Sequence, residues 1–336
     1  MRILLDGMGG DNAPNLIVEG AVMARREVPE DVEIMLVGKE DLLREALKEA
    51  GGSEEEIRII PASEVITNDE APVRAVRRKK DSSIAVGMRM LRDGEADAFL
   101  SAGSTGAILA GSLLIVGRIR GIDRPTLATV YPVIGHQPSL LVDTGANAEC
   151  RPGNLRDFCL MGSIYLEHVL NRDNPSVGLV NNGTEPGKGT ELTKEAYKLL
   201  DESGLNFIGN VETRELQNAV CDVIVTDGFT GNAIIKLTEG LGLMMLRELK
   251  QMFTASGKTK LGALLMKDQL RGMKRQFDYK EYGGAPILGV KKAVLKMHGS
   301  SDATAVCQTI RKAVPYVEHD VCGIIEHEVE ALTDKA

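Results

Sequence analysis

The chain predicts a mostly parallel, twisted α/β sheet with helices on both faces, and two observations carry that prediction. Short apolar runs of strand length alternate with amphipathic stretches of helical period along most of its 336 residues. Glycine-rich turns stand where strand hands over to helix. They are Asp6-Gly7-Met8-Gly9-Gly10-Asp11-Asn12, Ser101-Ala102-Gly103-Ser104-Thr105-Gly106, Asp143-Thr144-Gly145-Ala146-Asn147, 181–189 and Asp227-Gly228-Phe229-Thr230-Gly231-Asn232. Glycine lets backbone amides approach an anion, and a following helix adds the partial positive charge of its N-terminus. Such turns, tipped with Asp, Asn, Ser and Thr, point to a shared pocket for phosphate or another anion.

The elements follow in order. Residues 3–5 form a short strand, and Pro14 sits near the first turn of a helix through Leu16, Ile17, Gly20 and Ala24. Strand 32–37 precedes an amphipathic helix through Leu42, Leu43, Ala46 and Leu47. After strand 57–60, Ser82 or Ser83 caps a helix through Ile84, Val86, Met90 and Leu91. Strand 98–100 leads into the Ser101 turn and an apolar helix, 108–116. Runs 127–133 and 139–142, joined by Gly135-His136-Gln137-Pro138, read as a hairpin. A helix follows over 154–170. The alternation then resumes: strand 177–180, helix from 191, strand 206–208, helix 212–219, strand 223–226, helix from 232. In such sheets ligands bind beyond the carboxyl ends of the strands, where these turns lie.

Residues 238–277 break the rhythm as a helical excursion within one continuous α/β domain. Leu261, Leu264 and Leu265 share one helix face; Ala263, Met266, Leu270 and Met273 share another. One stripe can pack on the body, but the second needs a partner. Flanking Lys258, Lys260, Lys267, Arg271, Lys274 and Arg275 leave two readings open: a dimer interface or buried helix pair, or an interfacial helix on anionic lipid.

Composition excludes several classes. A net charge of -8 and the absence of Trp argue against nucleic acid. Five Cys without a CxxC pair fit reduced thiols rather than a disulfide framework. No apolar run is long enough to span a bilayer, and an acidic residue at position 6 comes too early for a signal peptide. The five His show no paired metal spacing. The dinucleotide fingerprint fails because Asn12 stands where its last glycine should be. The segment from Gly183 to Thr190 imitates a P-loop, one spacer residue short and with Gly189 in place of the magnesium-binding hydroxyl. Lys188 in that glycine cradle still suits an oxyanion. Asp6, Asp11, Asp143 and Asp227 also have a plainer reading as turn and cap residues, as do Asn147 and Asn232 as turn backbone.

Taken together, the Asp6–Pro14, Ser101–Ala107, 181–189 and Thr226–Asn232 motifs resemble the bacterial phosphate acyltransferases of phospholipid synthesis. So do Pro72, Ala75, Arg77, Lys79, Ser82 and Ser83, the late Gly283-Gly284-Ala285-Pro286-Ile287-Leu288-Gly289, and His298-Gly299-Ser300. The resemblance covers about residues 3–323. It implies a Rossmann-like fold similar to phosphotransacetylases and the isocitrate dehydrogenase group. It also implies transfer of a fatty acyl group from acyl carrier protein to inorganic phosphate, a homodimer, and no metal or organic cofactor. The location implied is cytoplasmic, with loose attachment to the membrane and delivery of acyl phosphate to a membrane acyltransferase.

On this reading, Gly103, Ser104, Thr105 and Gly106 bind phosphate. Lys188 meets phosphate or the thioester oxygen, Asn232 and Asn147 donate hydrogen bonds, and Asp227 positions phosphate or acts as base. Asp6, Gly7, Asp11, Asp143, Thr230 and His298 complete the substrate pocket. Arg77 and Lys79 receive the acidic carrier, and Leu261, Leu264 and Leu265 touch the membrane. The alternatives are a phosphotransacetylase-like enzyme using acyl-coenzyme A, a nicotinamide-dependent dehydrogenase disfavoured by the glycine spacing, and a non-catalytic phosphate- or lipid-binding regulator.

Overall fold

The computed structural model describes residues 1–133, 135–277 and 283–333, with side chains of 273–277 and 332–333 left aside. Ile134 in the hairpin, and the side chains of Met273, Lys274 and Arg275, therefore lie outside the described residues. The first half of the sheet is built from β1 (Arg2–Asp6), α1 (Asn15–Arg25), β2 (Glu33–Gly38), α2 (Glu40–Glu49), β3 (Ile57–Pro61), α3 (Pro72–Arg78), α4 (Ser83–Arg92) and β4 (Ala98–Ser101). Next comes α5 (Thr105–Gly111), which runs on into a π-helical turn, Ser112–Val116. The second half contains β5 (Thr126–Tyr131), β6 (Ser139–Val142), α6 (Pro152–Leu170), β7 (Val177–Asn181), α7 (Glu191–Asp201), β8 (Phe207–Glu212) and β9 (Val223–Val225). The chain continues through α8 (Gly228–Thr254), α9 (Gly257–Leu265), α10 (Lys267–Phe277), β10 (Ala285–Leu288), β11 (Ala293–Lys296), α11 (Ala303–Glu318) and α12 (Val321–Thr333).

Among the described residues the strands form one sheet in the order β3-β2-β1-β4-β11-β10-β5-β6-β9-β7-β8. Pairing is parallel except at the centre, where β11–β10, β10–β5 and β5–β6 are antiparallel. The mostly parallel sheet expected from the alternation is thus present, with a reversal of strand direction in its middle.

The strands are apolar on both faces because helices cover both. Ile3 and Leu5 of β1 point into a core with α1, α2, α6, α7 and α11, whereas Leu4 points into a second core with α4 and α5. The same alternation places Leu140 and Val142 of β6 in the first core and Leu141 in a third. The first core crosses the central reversal and joins both halves of the sheet. Helix starts are capped where the sequence indicated: Ser82 accepts from the Ala85 amide and Asp227 from the Thr230 amide.

Three differences from the sequence reading have physical causes. Strands β10 and β11 were not anticipated, since each has four residues and, beyond their pairing with each other, they are held by the distant partners β5 and β4. Residues Thr213–Asn218 form a 3-10 turn instead of a full helix. The helix expected from 232 starts at Gly228 and, with no proline to stop it, runs unbroken through Thr254 into the 238–277 segment.

Candidate active site

Adjacent strands β1, β4 and β11 end side by side, and their turns are tied together. Asp6 is fully buried; its Oδ2 accepts from Ser101 Oγ at 2.6 Å and its Oδ1 from the Met8 amide at 3.1 Å. Ser101 Oγ in turn accepts from the Gly103 amide at 3.0 Å. The Asp11 amide donates to the Gly299 carbonyl at 2.8 Å and Asn12 Nδ2 to the Ser301 carbonyl at 3.3 Å. Gly9 is required here: a Cβ would lie 2.5 Å from Asp6 Oδ2 and 2.6 Å from the Gly103 nitrogen. Burial pushes the Asp6 carboxyl above its usual range, against the opposing hydrogen bonds from Ser101, Ser83 and the turn amides.

The second half contributes the turns after β6 and β9. Asp143 Oδ1 accepts from the amides of Leu127, Gly145 and Ala146, and its Oδ2 from the amide and side chain of Asn147. Gly231 abuts this turn so closely that a Cβ would lie 1.8 Å from the Asp143 carbonyl oxygen. The first turn of α8 is thereby locked against the Asp143 loop.

Between the two sets of turns lies a cavity of about 350 Å³. Thr105, Lys296, Met297 and His298 line it from one half, and Thr144, Gly145, Asn232, Ile235, Lys236 and Glu239 from the other. Leu127, Thr129 and Val130 of β5 and the Gly283-Gly284-Ala285 segment complete it. Thr129 and Thr144 hydroxyls are 2.8 Å apart.

The charge of the cavity is predominantly positive. Lys296 is half-buried, and its ammonium donates to the Met297 carbonyl. Burial first, then the nearby Lys236, lowers its pKa to about 8, while Asp6 and Asp11 act the other way. Lys236 pairs with Glu239 at 2.8 Å, and its Nζ lies 3.5 Å from His298 Nε2. The Ser300 amide donates to His298 Nδ1 at 3.2 Å. Partial desolvation first, then the nearby Lys236, holds the imidazole below its ordinary value.

Of the residues singled out in the sequence, Thr105, Asn232 and His298 line this cavity. Gly103, Ser104 and Gly106 belong to the same turn as Thr105, but the Gly103 amide is occupied by Ser101. The later amides, at the start of α5, have no carbonyl four residues back within the helix. The Gly7 amide is occupied by the Val37 carbonyl.

Other residues singled out in the sequence are engaged within the protein or stand outside the cavity lining. Asn147 gives both side-chain hydrogens to the protein, to the Pro125 carbonyl and to Asp143, so it holds the turn and has no hydrogen left to donate to a substrate. Asp143 is likewise saturated. Asp227 caps α8 and accepts from both the amide and the hydroxyl of Thr230, which engages those two with each other. Lys188 is exposed on the β7–α7 loop and is not among the residues lining the cavity. Lys79 is turned back onto Glu70 and the Val65 carbonyl, both at 2.7 Å, whereas Arg77 is exposed. Sequence reasoning missed Lys296, Lys236 and Glu239. The one available signal was the spacing of Asn232, Ile235, Lys236 and Glu239 on a single helix face.

Comparison with known proteins agrees with this geometry. A family described as "Fatty acid synthesis protein" matches residues 1–324. The phosphate acyltransferase of Alkaliphilus oremlandii is 51% identical over 334 residues, covering 99% of each chain. That of Clostridioides difficile is 48% identical over 316 residues, covering 94% of this chain and 92% of its own. A phosphotransacetylase structure from Streptococcus pyogenes superposes with a TM-score of 0.62 at 16% identity, covering 95% of this chain and 94% of its own. This last likeness concerns the fold alone. A match running almost from end to end, to relatives sharing about half of all positions, shows that the chain belongs to the phosphate acyltransferase family.

Proposed function

We propose that the chain moves a long-chain fatty acyl group from acyl carrier protein to inorganic phosphate, giving acyl phosphate for phospholipid synthesis. The observation that supports this most is the pairing of Lys296 and Lys236 at one small cavity beside the starts of α5 and α8. Two ammonium groups so placed favour a compact anion, and phosphate is an anion that is also a nucleophile.

In the proposed reaction a phosphate oxygen bonds to the thioester carbonyl carbon, and the carbonyl oxygen takes up negative charge. The C–S bond then breaks, and the carrier thiolate leaves with the electron pair and is protonated by solvent. Lys296 and Lys236 neutralise phosphate, while Thr105 and the amides opening α5 orient it. Asn232 donates to the developing oxyanion. A cysteine nucleophile is disfavoured: burial pushes Cys150, beside Asn147, up to about 11, which keeps its thiol protonated at neutral pH.

The test is phosphate-dependent release of carrier thiol from a palmitoyl-carrier donor, with hydroxylamine trapping of acyl phosphate. Equal turnover of palmitoyl-coenzyme A would assign the chain to a phosphotransacetylase-like donor choice. Absence of release with both donors would leave a binding protein.

The carrier-docking surface on this reading is α3, which packs on α5 and carries exposed Arg74, Arg77 and Arg78. Lys79, held by Glu70, is left out of it. Arg74→Glu with Arg77→Glu is expected to raise KM for the acyl-carrier donor about tenfold, an effect that weakens with added salt. An unchanged KM would remove α3 from the docking site.

Membrane contact and a homodimer belong to the same proposal. Among the described residues no helix is long and apolar enough to cross a membrane. Leu261, Leu264 and Leu265 are 60%, 65% and 77% exposed on α9, an apolar face beside Lys258 and Lys260. Leu264→Glu with Leu265→Glu is expected to abolish co-sedimentation with anionic liposomes and to spare turnover in solution. Undiminished sedimentation would contradict this.

A further inference from the structure

Helix α8 touches two cavities with one face. Asn232, Ile235, Lys236 and Glu239 line the active-site cavity. Leu246, Leu249, Lys250 and Phe253, each fourteen positions further on, line a second cavity of about 490 Å³. Fourteen residues fall only about 40° short of four full turns, so both sets lie on the same side of the helix. Between them sits Gly242, which is buried.

The second cavity is bounded by α9 and α10, which pack on α8 and on each other and supply Lys260, Ala263 and Leu270. Its wall is formed by leucines, phenylalanine and alanine, with the stems of Lys250 and Lys260 at its edge. These apolar residues are half-buried, whereas Leu243, Met244, Met252 and Leu264 on other faces are exposed. Of the second stripe, Ala263 of α9 and Leu270 of α10 face this groove, whereas Met266 between them is exposed.

The first cavity is cationic and the second apolar, and one helix face connects them. An acyl phosphate or acyl thioester has the matching arrangement, a charged reacting end and an apolar tail. Lengths agree as well. From Lys236 to Leu246 the helix rises about 15 Å. That is the reach of one lipid acyl chain, half of the ~30 Å hydrocarbon core of a bilayer. We propose that the groove between α8, α9 and α10 receives the far end of the acyl chain and sets the preference for long donors. The proposal rests on the acyltransferase reading for the identity of the chain's charged end. A short chain would end before Leu246 and make no contact with the groove.

The test compares palmitoyl- and octanoyl-carrier donors in the wild type and in Ala263→Trp, which fills the groove. The expected result is a fall of about tenfold or more in kcat/KM for the palmitoyl donor, with the octanoyl value within about twofold of wild type. Intact octanoyl turnover also reports that the fold and the chemistry survive. Equal loss with both donors, or no loss with either, would overturn the proposal. Leu249→Ala, which widens the groove, is expected to shift preference toward chains longer than palmitoyl, and an unmoved preference would likewise overturn it. A changed oligomeric state of Ala263→Trp with an unchanged donor ratio would assign the groove to a second copy of the chain instead.

If the wild type discharges neither donor, the acyltransferase reading falls, and a separate measurement still decides the groove. Palmitate carrying a photoreactive group at its last carbon should label residues 246–253 or 260–270. Labelling elsewhere would overturn the groove assignment.

Discussion

Lys296→Ala is expected to lower phosphate-dependent turnover by about 10²–10³-fold, the loss that follows removal of one preorganised donor to a developing anion. The residue combines a charge with a place at the end of β11, where the strand order brings it beside the Ser101 turn and α8. Its pKa gives a further signature. With the ammonium lowered from 10.5 to about 8, turnover of the wild type should decline as pH rises through about 8. Bound phosphate raises that pKa, so the decline should move to higher pH at saturating phosphate. Stability should respond in the opposite sense. Between about 8 and 10.5 the unfolded chain holds the Lys296 proton and the folded chain does not, so stability rises with pH across that window. The cost of the half-buried ammonium is present in full below about 8. Lys296→Met is therefore expected to raise Tm at neutral pH while abolishing most turnover. A variant that retained turnover within a few-fold of wild type would remove Lys296 from the site.

Asp143→Ala is expected to destabilise the protein by about 3–5 kcal/mol, because it strands donors that a buried carboxylate now satisfies. Amides of Leu127, Gly145, Ala146 and Asn147 and the Asn147 side chain all converge on it. Asp227 is the informative contrast. It is a half-buried cap accepting from Thr230 alone, so Asp227→Ala should cost only about 1 kcal/mol. Urea midpoints at unchanged m-value would measure both. Equal losses would show that the Asp143 turn is not the structural anchor described here.

The contrast between these two aspartates also shows what was legible in the sequence. Both stand after apolar strands in glycine-rich turns, and both were candidates for substrate chemistry as well as for turn and cap roles. The local pattern identified the turn; only the folded geometry showed that each carboxylate is already engaged. Strand β1 was readable because Ile3, Leu4 and Leu5 are apolar on both faces, the mark of a covered parallel strand. Strands β10 and β11 were not, since their pairing with β5 and β4 links residues far apart in sequence. That hidden insertion is why Lys296 escaped notice: nothing local marks a lysine at the end of an unrecognised strand. Lys188 is the converse case, a residue with a local signal that stands outside the cavity lining. Its glycine-rich setting resembles a phosphate loop, and its side chain is exposed on the β7–α7 loop. Similarly, Lys79 belongs to a basic run, but Glu70 nearby captures its ammonium.

The central claim is that phosphate, held at Lys296 and Lys236, itself attacks the thioester. The most direct measurement supplies phosphate labelled with heavy oxygen together with a palmitoyl-carrier donor and follows both products by mass. The account predicts acyl phosphate that retains every labelled oxygen, one equivalent of carrier thiol, and no thiol release without phosphate. Unlabelled free fatty acid, with thiol released equally fast in the absence of phosphate, would show that water is the nucleophile and would contradict the account.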